Sequence, residues 1–411
     1  MGKISMIILV MFVPYFYMRH EDDMHPFILI SELQRKYSEK LAKETEKHGR
    51  KPGPVYDGCN MCVWKYCSPS TQELNAFRFS ESDDAKHLFE CFGAVLTDRD
   101  CIIKILAKRS EIQRTIILNQ FQQMYSMDFS DKLTDRLNKY RSTTLLTNLG
   151  TPLPLFFASQ FRAGFEKLKV QRTKVEGTFT RTEILELLTS LPNCMLRKVK
   201  SVYDAKYVQT SFLRDLNESF KLMPKSEYIE VVVALANTGR DEMTSWFAAW
   251  NDAKTLRRAV KDQHFNKIKE RSKEIFTTRS LYQLRDTLII YDKLRQSDEG
   301  YSTIFDDFYH KHENAVEIYS TVSKIALDHN TYFAGVIENT LKNDKDPSRF
   351  MNIIRARCGI DLKDIADEYE KIVGESMIDT LNKHDNKKGD ELTNLGNTVM
   401  TILNGRTAEK E

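Results

Sequence analysis

Four stretches of this 411-residue chain align with one another without gaps, and that internal recurrence constrains the fold more than any other feature. They are ILAKRSEIQRTIILNQF from Ile105, LLTSLPNCMLRKVKSVY from Leu187, IFTTRSLYQLRDTLIIY from Ile275 and IIRARCGIDLKDIADEY from Ile353. Each opens on an apolar pair, and four residues on comes Arg109, Leu191, Arg279 or Arg357. A basic residue follows at Arg114, Arg197, Arg285 or Lys363, and an aromatic closes the pattern at Phe121, Tyr203, Tyr291 or Tyr369. The aromatics lie 82, 88 and 78 residues apart. The apolar pair reads as the end of one helix, the polar residues as a tight turn, and the last apolar positions with the aromatic as one face of a second helix. The landmark arginine is expected to satisfy open carbonyls at the helix end, with Leu191 requiring a different lock in the second repeat.

Only 16 Gly and 10 Pro occur, few for a turn-rich β fold, while 41% hydrophobic and 10% aromatic residues supply a core. The expectation is an all-α chain of four helical repeats. A formal charge of +3 is too balanced for a dedicated nucleic-acid binder, so no specific nucleic-acid partner is expected. No GxxxxGK[ST], HExxH or GxSxG occurs, and the nine His show no recurrent metal or triad partner, so no enzyme is expected.

Before the repeats lies an extension, residues 1–80. Ile4 to Met18 carries no charge and resembles a signal h-region, although Pro14 interrupts it and no small-residue cleavage site follows. If it acts as a signal the chain is secreted; otherwise it is cytoplasmic and peripheral to membranes. Ile30, Leu33, Tyr37 and Leu41 make one face of a short helix that can pack on its own domain or dock on a protein partner. Cys59, Cys62 and Cys67 suit zinc thiolates or disulfides; Cys91, Cys101, Cys194 and Cys358 read as free, buried apolar residues.

The recurrent pattern resembles the annexins, whose four repeats each hold five helices with an SRS-type turn before a helix that begins QR or LR. LTDRDCIIKILAKRSEIQRTIILNQFQQMY and SRFMNIIRARCGIDLKDIADEYEK carry the resemblance best, and it extends over about residues 81–405. It implies repeats at 81–152, 153–237, 238–322 and 323–411, the last including a tail. It implies peripheral binding to acidic phospholipids, calcium-dependent through degenerate sites. The alternative is a structural, cytoskeletal or secreted interaction scaffold that kept the fold and lost most calcium and lipid binding.

In that family a glycine-bearing loop between the first two helices of a repeat presents carbonyls to calcium, and a carboxylate near the end of the fourth helix completes the sphere. Calcium takes about six to eight oxygen ligands, so losing either half weakens the site. The carboxylate positions hold Arg136, Glu218, Asp306 and His384, with Asp307 and Asp385 adjacent to the last two. The loop-glycine positions hold Ala94 and Leu96, Glu176 and Thr178, His264 and Asn266, Lys342 and Asp344. Gly177 lies one position off, so the resemblance implies a calcium site from Gly177, Thr178 and Glu218, with further ligands at Asp306, Asp307, Asp344 and Asp385. In the first repeat Thr97 and Asp98 read as a helix N-cap and a first-turn acid. Where the third site would lie, DAKTLRRAVKDQHFNKIKERSK carries Lys254, Arg257, Arg258, Lys261, Lys267 and Lys269, a candidate lipid-binding patch with Arg257 and Arg258 both expected on an exposed helix face.

Overall fold

The computed structural model describes residues 79–404 apart from 94, 138–140, 171–173, 222–226, 238, 242–244, 262–264, 300–315, 344–346 and 389–392. The N-terminal signal-like segment, the amphipathic stretch and Cys59, Cys62 and Cys67 lie outside the described residues. Everything regular among the described residues is helical. The first repeat holds α1 (Glu81–Cys91), α2 (Arg99–Lys108), α3 (Glu111–Tyr125), α4 (Phe129–Leu137) and α5 (Arg141–Leu149). The second holds α6 (Leu153–Val170), α7 (Lys174–Ser190), α8 (Asn193–Lys206), α9 (Phe212–Ser219) and α10 (Glu227–Asn237). The third has α11 (Trp246–Lys261), α12 (Phe265–Thr278), α13 (Leu281–Glu299) and α14 (Val316–Leu327). The fourth has α15 (His329–Asn343), α16 (Pro347–Arg357), α17 (Leu362–Val373), α18 (Met377–Lys388) and α19 (Thr393–Asn404).

Local chemistry sets the boundaries of these helices. In the first repeat Ser110 caps α3 in a capping box, its hydroxyl accepting from Gln113 N while the Gln113 side chain accepts from Ser110 N. Ser80 caps α1 and Ser211 caps α9 in the same way, each accepting from the amide three residues on. Gly374 ends α17 in the left-handed conformation, with nothing near where a Cβ would stand.

The chain forms two compact units, one of residues 241–328 and one in which the first, second and fourth repeats lie. In the larger unit the first and fourth repeats share a single core. Leu88, Ile102, Leu106, Ile117 and Phe121 pack in one cluster with Ile337, Ile354, Ile365 and Tyr369. The four aromatics that mark the pattern are all buried, each on the third helix of its repeat: Phe121, Tyr203 and Tyr291 at 0% exposure and Tyr369 at 1%. Burial of such rings is a large single contribution to each bundle, since truncating one to Ala typically costs about 3–5 kcal/mol.

The landmark arginines differ from expectation. Arg109 does not reach carbonyls: its fork meets the Asp84 carboxylate of α1 at 2.7 and 3.0 Å. Arg279 meets Asp252 of α11 in the same way, at 2.7 and 3.1 Å. Arg357 pairs with Asp361, one turn on. The carbonyls at the end of α2 are instead taken by Arg114, which donates to Leu106 O at 3.1 Å and Arg109 O at 2.8 Å. A bidentate carboxylate is the better match for a guanidinium fork, and Arg114, lying beneath the turn, is the residue within reach of the carbonyls. In the second repeat Leu191 is buried, and Asn193 holds the turn by accepting from Arg240 N and donating to Arg240 O.

The cysteines also depart from the sequence reading. Cys91 and Cys101 form a disulfide, and Cys194 is disulfide-bonded as well. Cys358 alone of the four is free and buried. Their helical surroundings concealed the pairing: Cys91 closes α1 and Cys101 lies in the first turns of α2, with their Cα atoms 5.7 Å apart across the intervening loop.

Candidate functional site

In the first repeat the connection between α1 and α2 is a true loop. Gly93 sits at φ +55°, and a Cβ there would lie 2.3 Å from Leu96 O, so the backbone closes on itself only because the residue is glycine. Asp98 N donates to Cys91 O at 2.7 Å and Thr97 Oγ1 donates to Phe92 O at 3.2 Å. Val95 and Leu96 project from the tip, each more than four-fifths exposed. Asp98, rather than Thr97, is the N-cap of α2: its carboxylate accepts from Cys101 N, and Asp100 is the first-turn acid. Opposite in chemistry to a calcium ligand, exposed Arg136 stands in the last turn of α4. This repeat keeps the loop and lacks the carboxylate.

The second repeat has the reverse arrangement. Gly177 and Thr178 lie within α7, not in a loop, so their carbonyls belong to a helical stretch rather than turning outward together. Glu218 stands near the end of α9 with its side chain 45% exposed, and it is already in company. Arg214 donates to it at 3.1 Å, and the Lys169 ammonium lies 3.8 Å away. Lys169 is centred on a buried neighbour, Asp215, at 2.7 Å, where Arg162 and the Tyr203 hydroxyl also donate, at 2.7 and 2.6 Å. Burial alone lifts a carboxyl's pKa, but these bonds outweigh it and hold Asp215 below the ordinary 3.8. The same Asp215 bond holds the Lys169 ammonium above its ordinary range despite partial burial. As arranged, a protein-borne cation occupies the surroundings of Glu218, and these residues do not fit a calcium ion without displacing Lys169.

Asp306, Asp307 and Asp344 lie outside the described residues. Asp385 is on α18 and Lys267 on α12, with their side chains outside the description. Among the described residues no group of three or more acids, His or Cys is arranged to hold a metal ion. Nor is any described helix long and apolar enough to cross a membrane.

The basic patch is divided by the structure. Lys254, Arg258 and Lys261 are exposed and Lys269 is half-buried, but Arg257 is buried at 6% exposure. The expectation of an exposed Arg257 is corrected by the helix geometry: it follows Leu256 on the side of α11 turned toward the core.

Sequence reasoning missed a buried charged node in the larger unit. Arg355, fully buried, donates to Asn148 O and Thr151 O at 2.5 and 2.7 Å and pairs with Glu111 at 2.9 Å. Glu111 also accepts from Arg114 and from Leu153 N. The node joins three repeats through one acid, and these cations keep the Glu111 carboxyl ionised against its burial. Its only sequence trace was a charge inside the apolar run IIRARC.

This geometry, sets of short helices repeated with a tight turn between the second and third of each, defines a class of helical repeat proteins. A sequence model described as Annexin matches residues 83–145. Annexin A3 of Homo sapiens is 26% identical over 318 residues, covering 77% of this chain and 92% of its own length. Among solved structures, annexin III aligns with a TM-score of 0.66 at 22% identity, covering 80% of this chain and 94% of that one. A calcium-bound annexin (Sm)1 aligns with a TM-score of 0.66 at 20% identity, covering 87% and 94%. These matches support membership of the annexin family. That family is one of calcium-dependent phospholipid binding and its members are generally non-enzymatic.

Proposed function

We propose that this chain is a peripheral membrane protein that binds acidic phospholipids with calcium assistance at degenerate sites. The observation that carries the reading is the annexin-like fold, aligned over most of the chain. Calcium is assigned to Glu218 in the second repeat and to Asp306, Asp307, Asp344 and Asp385 in the third and fourth. A calcium ion held by these carboxylates would supply positive charge that attracts lipid phosphate. At Glu218, Arg214 and Lys169 neutralise part of the charge an ion needs, so calcium would have to displace Lys169 there. Millimolar calcium is therefore the expected requirement, as at weak extracellular-type sites.

Co-sedimentation with phosphatidylserine vesicles across a calcium series tests this. Binding that rises in the millimolar range, and falls in the Glu218→Gln variant, supports the assignment. A calcium response left unchanged by that variant moves the ion to the third and fourth repeats. No binding to acidic vesicles at any calcium level overturns the reading in favour of an interaction scaffold.

A further inference from the structure

The exposed side of α11 carries a stripe that the sequence patch did not define. Phe247, Trp250, Lys254, Arg258 and Lys261 follow one another at intervals of three and four residues. At about 100° per residue these five fall within an arc of roughly 80°, and the stripe runs about 21 Å along the helix. Phe247 is 69% exposed, an unusual position for a ring that size. Trp250 is half-buried, and the Lys254 ammonium lies 5.2 Å above its ring. Lys254, Arg258 and Lys261 all face solvent.

The acid of this helix lies away from that side. Asp252 is the sole carboxylate of α11, and it points inward, 8% exposed, clasped by the Arg279 fork and by Gln283 at 2.9 Å. Arg257 is likewise turned toward the core. The helix therefore presents aromatic side chains over its N-terminal turns and cations over the rest, with no carboxylate of its own to offset them.

We propose that this stripe is a calcium-independent docking surface for an acidic phospholipid bilayer, distinct from the carboxylate sites of the preceding reading. Charge complementarity fixes the sign of the partner: each cation near an anionic membrane surface adds attraction. The aromatics fix the phase. A soluble polyanion offers Phe247 nothing, whereas aromatic side chains settle at the boundary between headgroups and hydrocarbon. Lys254 and Arg258 bind headgroup phosphates, and Phe247 with the edge of Trp250 enters the interface.

The full chain is tested against vesicles of phosphatidylcholine with and without phosphatidylserine, in chelator and in millimolar calcium, with soluble heparin as a separate probe. The expected result is chelator-resistant binding to serine-containing vesicles that weakens steeply with added salt. Lys254→Glu with Arg258→Glu should reduce it at least about tenfold. Phe247→Ala should reduce it several-fold while leaving the salt dependence as it was. Lys254→Gln with Arg258→Gln provides a milder pair, with helicity followed by circular dichroism, should charge reversal disturb folding. Glu218→Gln should leave chelator-resistant binding unchanged. Binding that appears only with calcium overturns the stripe and leaves the annexin-type reading standing; absence of binding in both conditions overturns both. Equal binding to neutral vesicles, indifference to the charge variants, or capture by heparin without vesicles each overturns the proposal.

Discussion

The first and second repeats share a five-helix plan, and they differ at both places where the family resemblance implies a calcium ligand. The first has a closed loop between its opening helices, pinned by Gly93, the Cys91–Cys101 disulfide and the Asp98 cap, but Arg136 where a carboxylate belongs. The second has Glu218 but runs helix through Gly177 and Thr178. It also surrounds the acid with Lys169 and Arg214. Buried aromatics and internal ion pairs hold each bundle, which leaves the surface sites free to diverge.

The largest test of this comparison is Asp215. Replacing it with Ala leaves Arg162, Lys169 and Tyr203 facing a lost acceptor, and unfolding by denaturant should show a loss of about 3–5 kcal/mol. Asp84→Ala in the first repeat removes a single partner of an arginine that is 22% exposed, and should cost about 1–3 kcal/mol. Equal losses would show that the two repeats are locked alike. The Asp215 contribution also has a pH signature. Its folded pKa lies below 3.8, so the stabilisation is fully present above about pH 4 and disappears as pH falls through the depressed value. Wild type and Asp215→Asn should accordingly converge in stability under strong acid.

Next in size is Lys169→Met. Removing the internal cation leaves Asp215, Glu218 and Glu166 with less compensating charge, and calcium affinity measured by calorimetry should rise about tenfold. An unchanged titration would mean that the helical path of α7, and not the lysine, is what excludes the ion.

The smallest effects separate the two glycines. Gly93→Ala should destabilise by about 1–2 kcal/mol, because its φ is left-handed and a Cβ meets Leu96 O. Gly177→Ala, inside α7, should instead stabilise by up to about 1 kcal/mol. Thermal denaturation shifts of the same sign in both variants would show that the two connections are built alike.

Much of the architecture was legible from residue order. The positions of Phe121, Tyr203, Tyr291 and Tyr369 gave the third helix of each repeat and its buried face, because helical periodicity is settled by neighbours three and four residues away. The Ser110 cap with its Gln113 return was likewise local. The family resemblance rested on those same short-range signals recurring four times.

Partnership between charges was not legible. Arg109 lies 25 residues from Asp84, Lys169 lies 46 from Asp215, and Arg355 lies 244 from Glu111. Nothing near any of these residues in the chain names its partner. Arg257 and Arg258 are adjacent and chemically the same, yet a turn of 100° puts one against the core and the other in water. The sequence by itself determined that this protein is a fourfold helical array and where its aromatic anchors lie, since both follow from spacing. Only the tertiary structure decided which carboxylates are already neutralised and which cations face outward, because long-range ion pairs form when packed helices bring distant side chains within about 4 Å.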